Sequence, residues 1–403
     1  MTERLFNTAT DDEIKEGRTT DIYFVRANEI LKKKGLEKVR VHAEVSTSGL
    51  PRKEWPWAIL TGIKEVVNLL EGYPIDVYSY PEGSIFFPTD YNGYRIPILT
   101  IEGNYAEFSI LETPLLGLIC QSSGISTSAA RIRIIGKDKL ILSFGLRRMH
   151  PSISPMIDYS CYIAGLDGVS GVLSAELLGI PPSGTIPHAL IIVFGDQIKA
   201  WQAFDEVIAP EVPRIALCDT YRDERDEVVM AAENVKNLAG VRLDTPGSRR
   251  GNFLKIIRDC RWELDLRGYK DIKIYVSGGI NEAWMKKLSV PEVDGFGVGS
   301  YLSNAPTIDF GLDIISVLRD GKWEYTAKRD RLNGKKKVWR CNNCLIDLLT
   351  LEDASPPTCP ECKKKMDLLL TPLIKDGKIV RDMPSPEKIR ERLLKQLDKL
   401  SIE

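Results

Sequence analysis

Residues 214–245 read RIALCDTYRDERDEVVMAAENVKNLAGVRLDT, and the alternation within this stretch decides the fold. A short apolar run, RIALC, ends at Asp219-Thr220-Tyr221, and a second, GVRL, contains Arg242 and ends at Asp244-Thr245. Between them, Asp226 to Leu238 places Val228, Ala231, Ala232, Val235 and Leu238 on one helical face, and Gly240 follows as a stop. Strand, amphipathic helix, strand is one β/α unit, and such units build a parallel sheet.

The same endings recur on both sides of it. KLILSF ends at Gly145-Leu146-Arg147-Arg148, KIYV at Ser277-Gly278-Gly279, and GFGV, which contains Gly297, at Gly299-Ser300. Polar groups and glycines at the carboxyl ends of parallel strands are where α/β folds and barrels keep their active sites. The fold class is therefore α/β, with an irregular β/α barrel over residues 115–305. Residues 1–114 form an N-terminal α+β domain, in which Trp57 to Leu70 reads as a helix and PIDVYSY and RIPILTIEG as extended runs. Residues 306–403 form a C-terminal region, with a small zinc-ribbon-like module at about 335–370 and a terminal helix from Ser385 to Leu400 capped by Ser385. No fixed-period repeat points to a solenoid.

Composition narrows the function classes. The 403 residues are 43% hydrophobic and 28% charged with a net charge of -1, an ordinary globular balance with no global positive field toward nucleic acid or anionic lipid. MTERLFNTATDDEIKEGR has no apolar leader core, and no long uncharged apolar run follows, so a cytoplasmic protein with no membrane partner is expected. Of eight cysteines, Cys120, Cys161, Cys218 and Cys260 lie singly in apolar surroundings, as small buried thiols do. The lysine triplets 335–337 and 363–365 read as solvated faces, and no nucleic-acid partner is expected.

Cys341 and Cys344, then 14 residues, then Cys359 and Cys362, supply four thiolates in two tight pairs, the spacing of a closed tetrahedral site. Structural Zn²⁺ is expected, because four protein ligands leave no open position for catalysis. The glycines at 278–279 and 297–299, with Ser277 and Ser300, sit at consecutive strand ends and together suit a phosphate. Arg147, Arg148 and Arg242 stand at apolar strand ends, where a phosphate or carboxylate would match their planar donors, or where Asp167, Asp219 or Asp244 would pair with them. Those aspartates are candidate Mg²⁺ partners beside substrate oxygens. Of three histidines, His42 reads as structural, and His188 taken without context does too.

In order along the chain, these motifs resemble those of the nicotinate phosphoribosyltransferases. Thr20-Asp21-Ile22-Tyr23 is similar to TDxY, Phe144 to Arg148 to FGxRR, Ala164 to Gly168 to AGxDG, and Gly184, Thr185 and His188 to GTxxH. Asp219-Thr220-Tyr221 is similar to DTY, Arg242-Leu243-Asp244 to RLD, and Phe296 to Ser300 to FGVG[ST]. With its four-cysteine module, the chain resembles a prokaryotic, archaeal-type branch of that family. The resemblance implies transfer of phosphoribosyl from phosphoribosyl pyrophosphate to nicotinate, giving nicotinate mononucleotide and pyrophosphate in NAD synthesis. It implies Phe144 stacked on the pyridine ring, an arginine of the 147/148 pair on its carboxylate or on the ribosyl phosphate, and the glycine loops on the 5′-phosphate. Arg242, Asp244, Asp167 and Asp219 would hold ribose hydroxyls, pyrophosphate and Mg²⁺. Tyr23 would close the ring pocket of a partner subunit, making a dimer the minimum active unit, and His188 would be phosphorylated by ATP. Quinolinate and nicotinamide phosphoribosyltransferases are the alternatives within enzymes, and a zinc-ribbon nucleic-acid-binding protein is the alternative from another class.

Overall fold

The computed structural model describes residues 4–402, which divide into two compact units: residues 4–127 with 306–402, and residues 128–305. Residues 306–402 thus fold with the N-terminal part of the chain. The reason is strand pairing: Phe310–Arg319 lies antiparallel beside Arg40–Thr47, and Thr371–Lys375 antiparallel beside Ile75–Ser79.

The first unit is built on a seven-stranded sheet ordered 322–324, 310–319, 40–47, 99–104, 75–79, 371–375, 378–379. Val41, Ala43 and Val45 alternate into its core with Ile75, Val77, Leu99 and Ile101, against the helix Ile63–Leu70. The helix expected from Trp57 begins only at Ile63, because Ala58–Leu60 is a strand paired with Ser84–Phe86. Gly62 makes the turn between them at φ +100°, where a Cβ would meet the Leu118 carbonyl oxygen at 2.4 Å. The terminal helix is Pro386–Leu397 with Ser385 at its N-cap, burying Ile389, Leu393 and Leu397.

The cysteine module is a three-stranded sheet, Asp347–Leu351, Lys336–Arg340 and Asp367–Leu368, carrying two turns of one design. In the first, Cys341 N–H donates to Ile346 and Leu345 N–H to Cys341; in the second, Cys359 N–H donates to Lys364 and Lys363 N–H to Cys359. Leu345 and Lys363 take the left-handed conformation at φ +56° and +61°, which folds each C-x-x-C pair back on itself. Val338 enters the main core of the unit, and the buried Arg340–Asp347 pair bonds at 2.6 Å while Arg340 also donates to the Ile85 carbonyl. Lys335 pairs with Glu102 at 2.5 Å and Lys336 with Glu44 at 2.9 Å, so two lysines of the first triplet are engaged within the unit.

The second unit is a curled parallel sheet of six strands, ordered 168–169, 140–143, 295–298, 273–276, 238–243, 214–217. The strand endings read from the sequence all fall in it. It is a half-barrel, because residues 170–213 fold as helices and irregular segments and put no strand between 168–169 and 214–217. The connecting helix runs Glu224–Asn234, shorter than expected: Leu238 and Gly240 already belong to the next strand, Leu238–Leu243, which pairs on both sides. No helix among the described residues is long and apolar enough to cross a membrane.

Candidate active site

Parallel strands fed by crossover helices place their turns, free backbone groups and polar side chains together at the carboxyl edge. After Leu140–Ser143 the chain passes Phe144-Gly145 into a short turn of helix, Leu146–Arg148, which leaves Arg147 and Arg148 exposed. Phe144 N–H donates to the Val298 carbonyl at 2.8 Å, drawing its ring across the neighbouring strand. That is possible only because residue 297 is glycine: a Cβ there would lie 2.4 Å from the Phe144 ring.

The next strands deliver a bonded chain of polar groups. His188 Nε2 lies 3.0 Å from Asp219 Oδ1, and Asp219 Oδ2 accepts from the backbone N–H of Asp244 at 2.6 Å. Asp244 Oδ1 in turn accepts from the Ser277 hydroxyl at 2.6 Å. Burial pushes the Asp219 carboxyl up to about 6, with His188 and the Asp244 N–H holding it down against that trend. Arg242 reaches only the Ile186 carbonyl at 3.1 Å and Ser277 Oγ at 3.4 Å, and its buried Nε has no acceptor among the described residues. Burial lowers its pKa; Asp244 and Asp219 oppose this, and the nearby Arg147 cation adds to it. A half-buried guanidinium with a fully covered Nε and loose partners, beside a second one, is a site charged to receive an anion.

Two glycine turns complete the edge. Gly278 and Gly279 both sit in the left-handed region, at φ +82° and +64°, and neither N–H donates to an acceptor among the described residues. At the next strand end, Ser300 opens the short helix Ser300–Ser303 after Gly299. Thr185 lies in the irregular segment 181–187 that leads into the helix His188–Phe194.

Asp167 is a correction to the expected site. The apolar run before it is the end of the helix Ser154–Ile163, so Asp167 precedes a strand where the other aspartates follow one. It stands at the amino edge of the sheet, pairs with Arg133 at 2.9 Å and accepts from Ile141 N–H at 2.9 Å. Tyr23 belongs to the other unit, on the helix Ile22–Lys33, where it is 58% exposed with its ring 4.3 Å from that of Phe24.

Several supporting residues went unread in the sequence. Fully buried Glu227 accepts the consecutive N–H groups of Thr220, Tyr221 and Arg222 at 2.7 to 3.0 Å, and so shapes the turn after Asp219. Glu224 accepts from Thr245 at 2.7 Å and does the same for the next turn. Both fall on the helical face of Val228 and Ala231, so helical periodicity itself was the available signal. Asp158, buried within its helix, takes the Ser143 hydroxyl at 2.8 Å and Gly171 N–H at 3.2 Å.

Away from this edge, the sulfur atoms of Cys341, Cys344, Cys359 and Cys362 all lie within 4.8 Å of one another, a grouping that could hold a metal ion.

The protein-family model for the N-terminal domain of quinolinate phosphoribosyl transferase matches residues 21–123, and that for the C-terminal domain matches residues 125–313. A crystal structure of nicotinate-nucleotide pyrophosphorylase from Pyrococcus furiosus is 51% identical, with a TM-score of 0.93 over 98% of each chain. The nicotinate phosphoribosyltransferase of Bacillus subtilis is 26% identical over 368 residues, covering 80% of this chain and 73% of its own length. Human nicotinic acid phosphoribosyltransferase, 21% identical, shares the fold with a TM-score of 0.71 over 95% of this chain and 94% of its own.

Proposed function

The chain belongs to the nicotinate phosphoribosyltransferase family, and from that premise we propose how its carboxyl-edge site transfers phosphoribosyl from phosphoribosyl pyrophosphate to nicotinate, yielding nicotinate mononucleotide and pyrophosphate. The observation that carries the reading is Arg242, a half-buried cation whose covered Nε lacks an acceptor among the described residues and whose field is shared with Arg147. A polyphosphorylated substrate supplies the missing acceptors.

The pyridine nitrogen attacks with its own lone pair, so no general base is needed. The barrier lies in separating a cationic ribosyl carbon from departing pyrophosphate, and preorganised charges lower it without reorganising. Arg242 and Arg147 face the leaving anion, while Asp219 and Asp244 favour positive charge at the sugar and accept ribose hydroxyls. The 5′-phosphate is assigned to the N–H groups of Gly278 and Gly279, with Gly299 and Ser300 beside them. Phe144 stacks on the pyridine ring, and Arg148 takes its carboxylate, which favours an acid over nicotinamide. Mg²⁺ suits the Asp219–Asp244 pair together with pyrophosphate oxygens, and when bound would neutralise charge on the leaving group.

ATP is the proposed co-substrate, with His188 as phosphoryl acceptor. Asp219 beside Nε2 favours the proton there and leaves the Nδ1 lone pair as nucleophile, on a side chain that is 43% exposed. Nδ1 attacks the γ-phosphorus, the bond to the β-phosphate oxygen breaks and ADP departs; water later takes the phosphoryl group. Zn²⁺ is the proposed occupant of the four-cysteine group, whose soft thiolate set and tight grouping suit it. The active unit is proposed as at least a dimer, located in the cytoplasm, in which Tyr23 of the partner subunit covers the ring site. The exposure of Tyr23 and of Val172, Leu173 and Leu177 favours such a partner.

The deciding assay incubates the protein with phosphoribosyl pyrophosphate, Mg²⁺ and either nicotinate, quinolinate or nicotinamide. Mononucleotide from nicotinate, and little from the others, is expected; release of CO₂ from quinolinate as the faster reaction would overturn the assignment. With ATP, acid-labile phosphate is expected on the wild-type chain and not on His188→Ala, and its absence from both removes His188 from that role. Gly297→Ala tests the ring site. Displacing Phe144 should cost about 0.5–1.5 kcal/mol of stacking, a rise of roughly 2- to 12-fold in KM for nicotinate with that for phosphoribosyl pyrophosphate nearly unchanged. Equal rises in both constants would argue against a stacked ring.

A further inference from the structure

Arg250 lies outside every motif used so far, in the turn after Asp244-Thr245, yet only 4% of it is exposed. Its guanidinium sits 4.9 Å from the Phe253 ring centre and 5.1 Å from that of Trp284, so two aromatic faces hold it from outside the turn. Its hydrogen bonds go to backbone carbonyls: Nε donates to Thr245 at 2.8 Å, and Nη2 donates to Ser277 at 2.9 Å and also to Gly278. A buried cation that serves consecutive carbonyls of a neighbouring turn acts on the orientation of that turn.

The peptide group is planar and trans, so a carbonyl and the N–H of the same peptide point in opposite directions. Holding the Ser277 carbonyl turns the Gly278 N–H away from Arg250, and holding the Gly278 carbonyl does the same for the Gly279 N–H. With both glycines left-handed, the two N–H groups face one side together. These are the groups that find no acceptor among the described residues. A Cβ at Gly278 would stand 3.1 Å from both Arg250 Nη2 and Asp244 Oδ1, so the loop is closely packed between them.

We propose that Arg250 is a positioning residue for the substrate phosphate, fixing two successive peptide planes so that the Gly278 and Gly279 N–H groups form a preset anion seat. The proposal rests on the phosphoribosyl reading of this edge. It places the effect of Arg250 on the phosphate and not on the ring or the sugar.

The test compares binding of nicotinate mononucleotide and of its phosphate-free nucleoside, nicotinate riboside, to the full chain by calorimetry. Arg250→Gln should weaken the mononucleotide about tenfold or more and the nucleoside less than about twofold, and should raise KM for phosphoribosyl pyrophosphate with that for nicotinate unchanged. Arg250→Lys keeps a cation over Phe253 and Trp284 and guards against misfolding. One ammonium cannot span three carbonyls, so this variant too should lose mononucleotide affinity, by about threefold or more. Full affinity in Arg250→Lys would overturn the proposal in favour of simple charge attraction. Equal weakening of both ligands in a folded variant would reduce Arg250 to a general staple, and no weakening of either would remove it altogether. Wild-type protein that binds mononucleotide no better than nucleoside overturns the phosphate seat itself, an outcome visible before any variant is made.

Discussion

Arg242→Ala should lower kcat/KM for phosphoribosyl transfer by about 30- to 1000-fold, equivalent to roughly 2–4 kcal/mol of lost transition-state stabilisation. The fold should hardly notice. Arg242 bonds only to Ile186 and Ser277, at 3.1 and 3.4 Å, and removing a half-buried charge with such partners takes away part of a desolvation cost along with the bonds. Its melting temperature should therefore stay within a few degrees of wild type. Arg147→Ala should also damage turnover more than stability, because Arg147 stands exposed on a short turn. Steady-state kinetics beside a thermal melt decides both. A folded Arg242→Ala protein with wild-type kinetics would take that residue out of the site, and a large drop in melting temperature would mean that its role is structural.

Loss of the Zn²⁺ proposed for the four-cysteine group should have the largest effect on stability. Structural zinc contributes about 10–16 kcal/mol in isolated fingers, comparable with the whole stability of a domain. Metal analysis of protein purified without added zinc should find one ion per chain. Cys344→Ser or chelation should abolish hydrogen-exchange protection over about residues 341–368, where two left-handed turns and few apolar contacts offer little else. The strand Lys336–Arg340 should hold on longer, since Val338 is buried in the main core and Arg340 donates to the Ile85 carbonyl, outside the module. Residues 140–298 should keep their protection. A metal-free chain with a fully protected module would defeat the zinc assignment, and uniform loss through both units would show that the module supports the whole fold.

What the sequence determined by itself was everything that periodicity and strand ends can carry. The runs IALC (215–218) and IYV (274–276) are continuously apolar because parallel strands are covered on both faces, and each gives way to a polar residue at the carboxyl edge, so Asp219, Asp244 and Ser277 announced themselves in order. The paired cysteines were equally local, since a C-x-x-C turn is closed by bonds within a few residues. Tertiary structure decided whatever depends on direction or on distant pairing. Asp167 follows an apolar run as Asp219 does, but that run is a helix, and only the sheet shows that the carboxylate stands at the opposite edge. The return of residues 310–319 and 371–375 into the first sheet is a contact between segments far apart in the chain, which no local pattern encodes. Arg250 is a charged residue that reads as surface, and Glu224 and Glu227 show in the sequence only as acidic members of a helical face; all three are buried because the backbone groups and the Thr245 hydroxyl they satisfy come from other turns. A buried charge is stable only with such partners, and the partners exist only once the chain has folded.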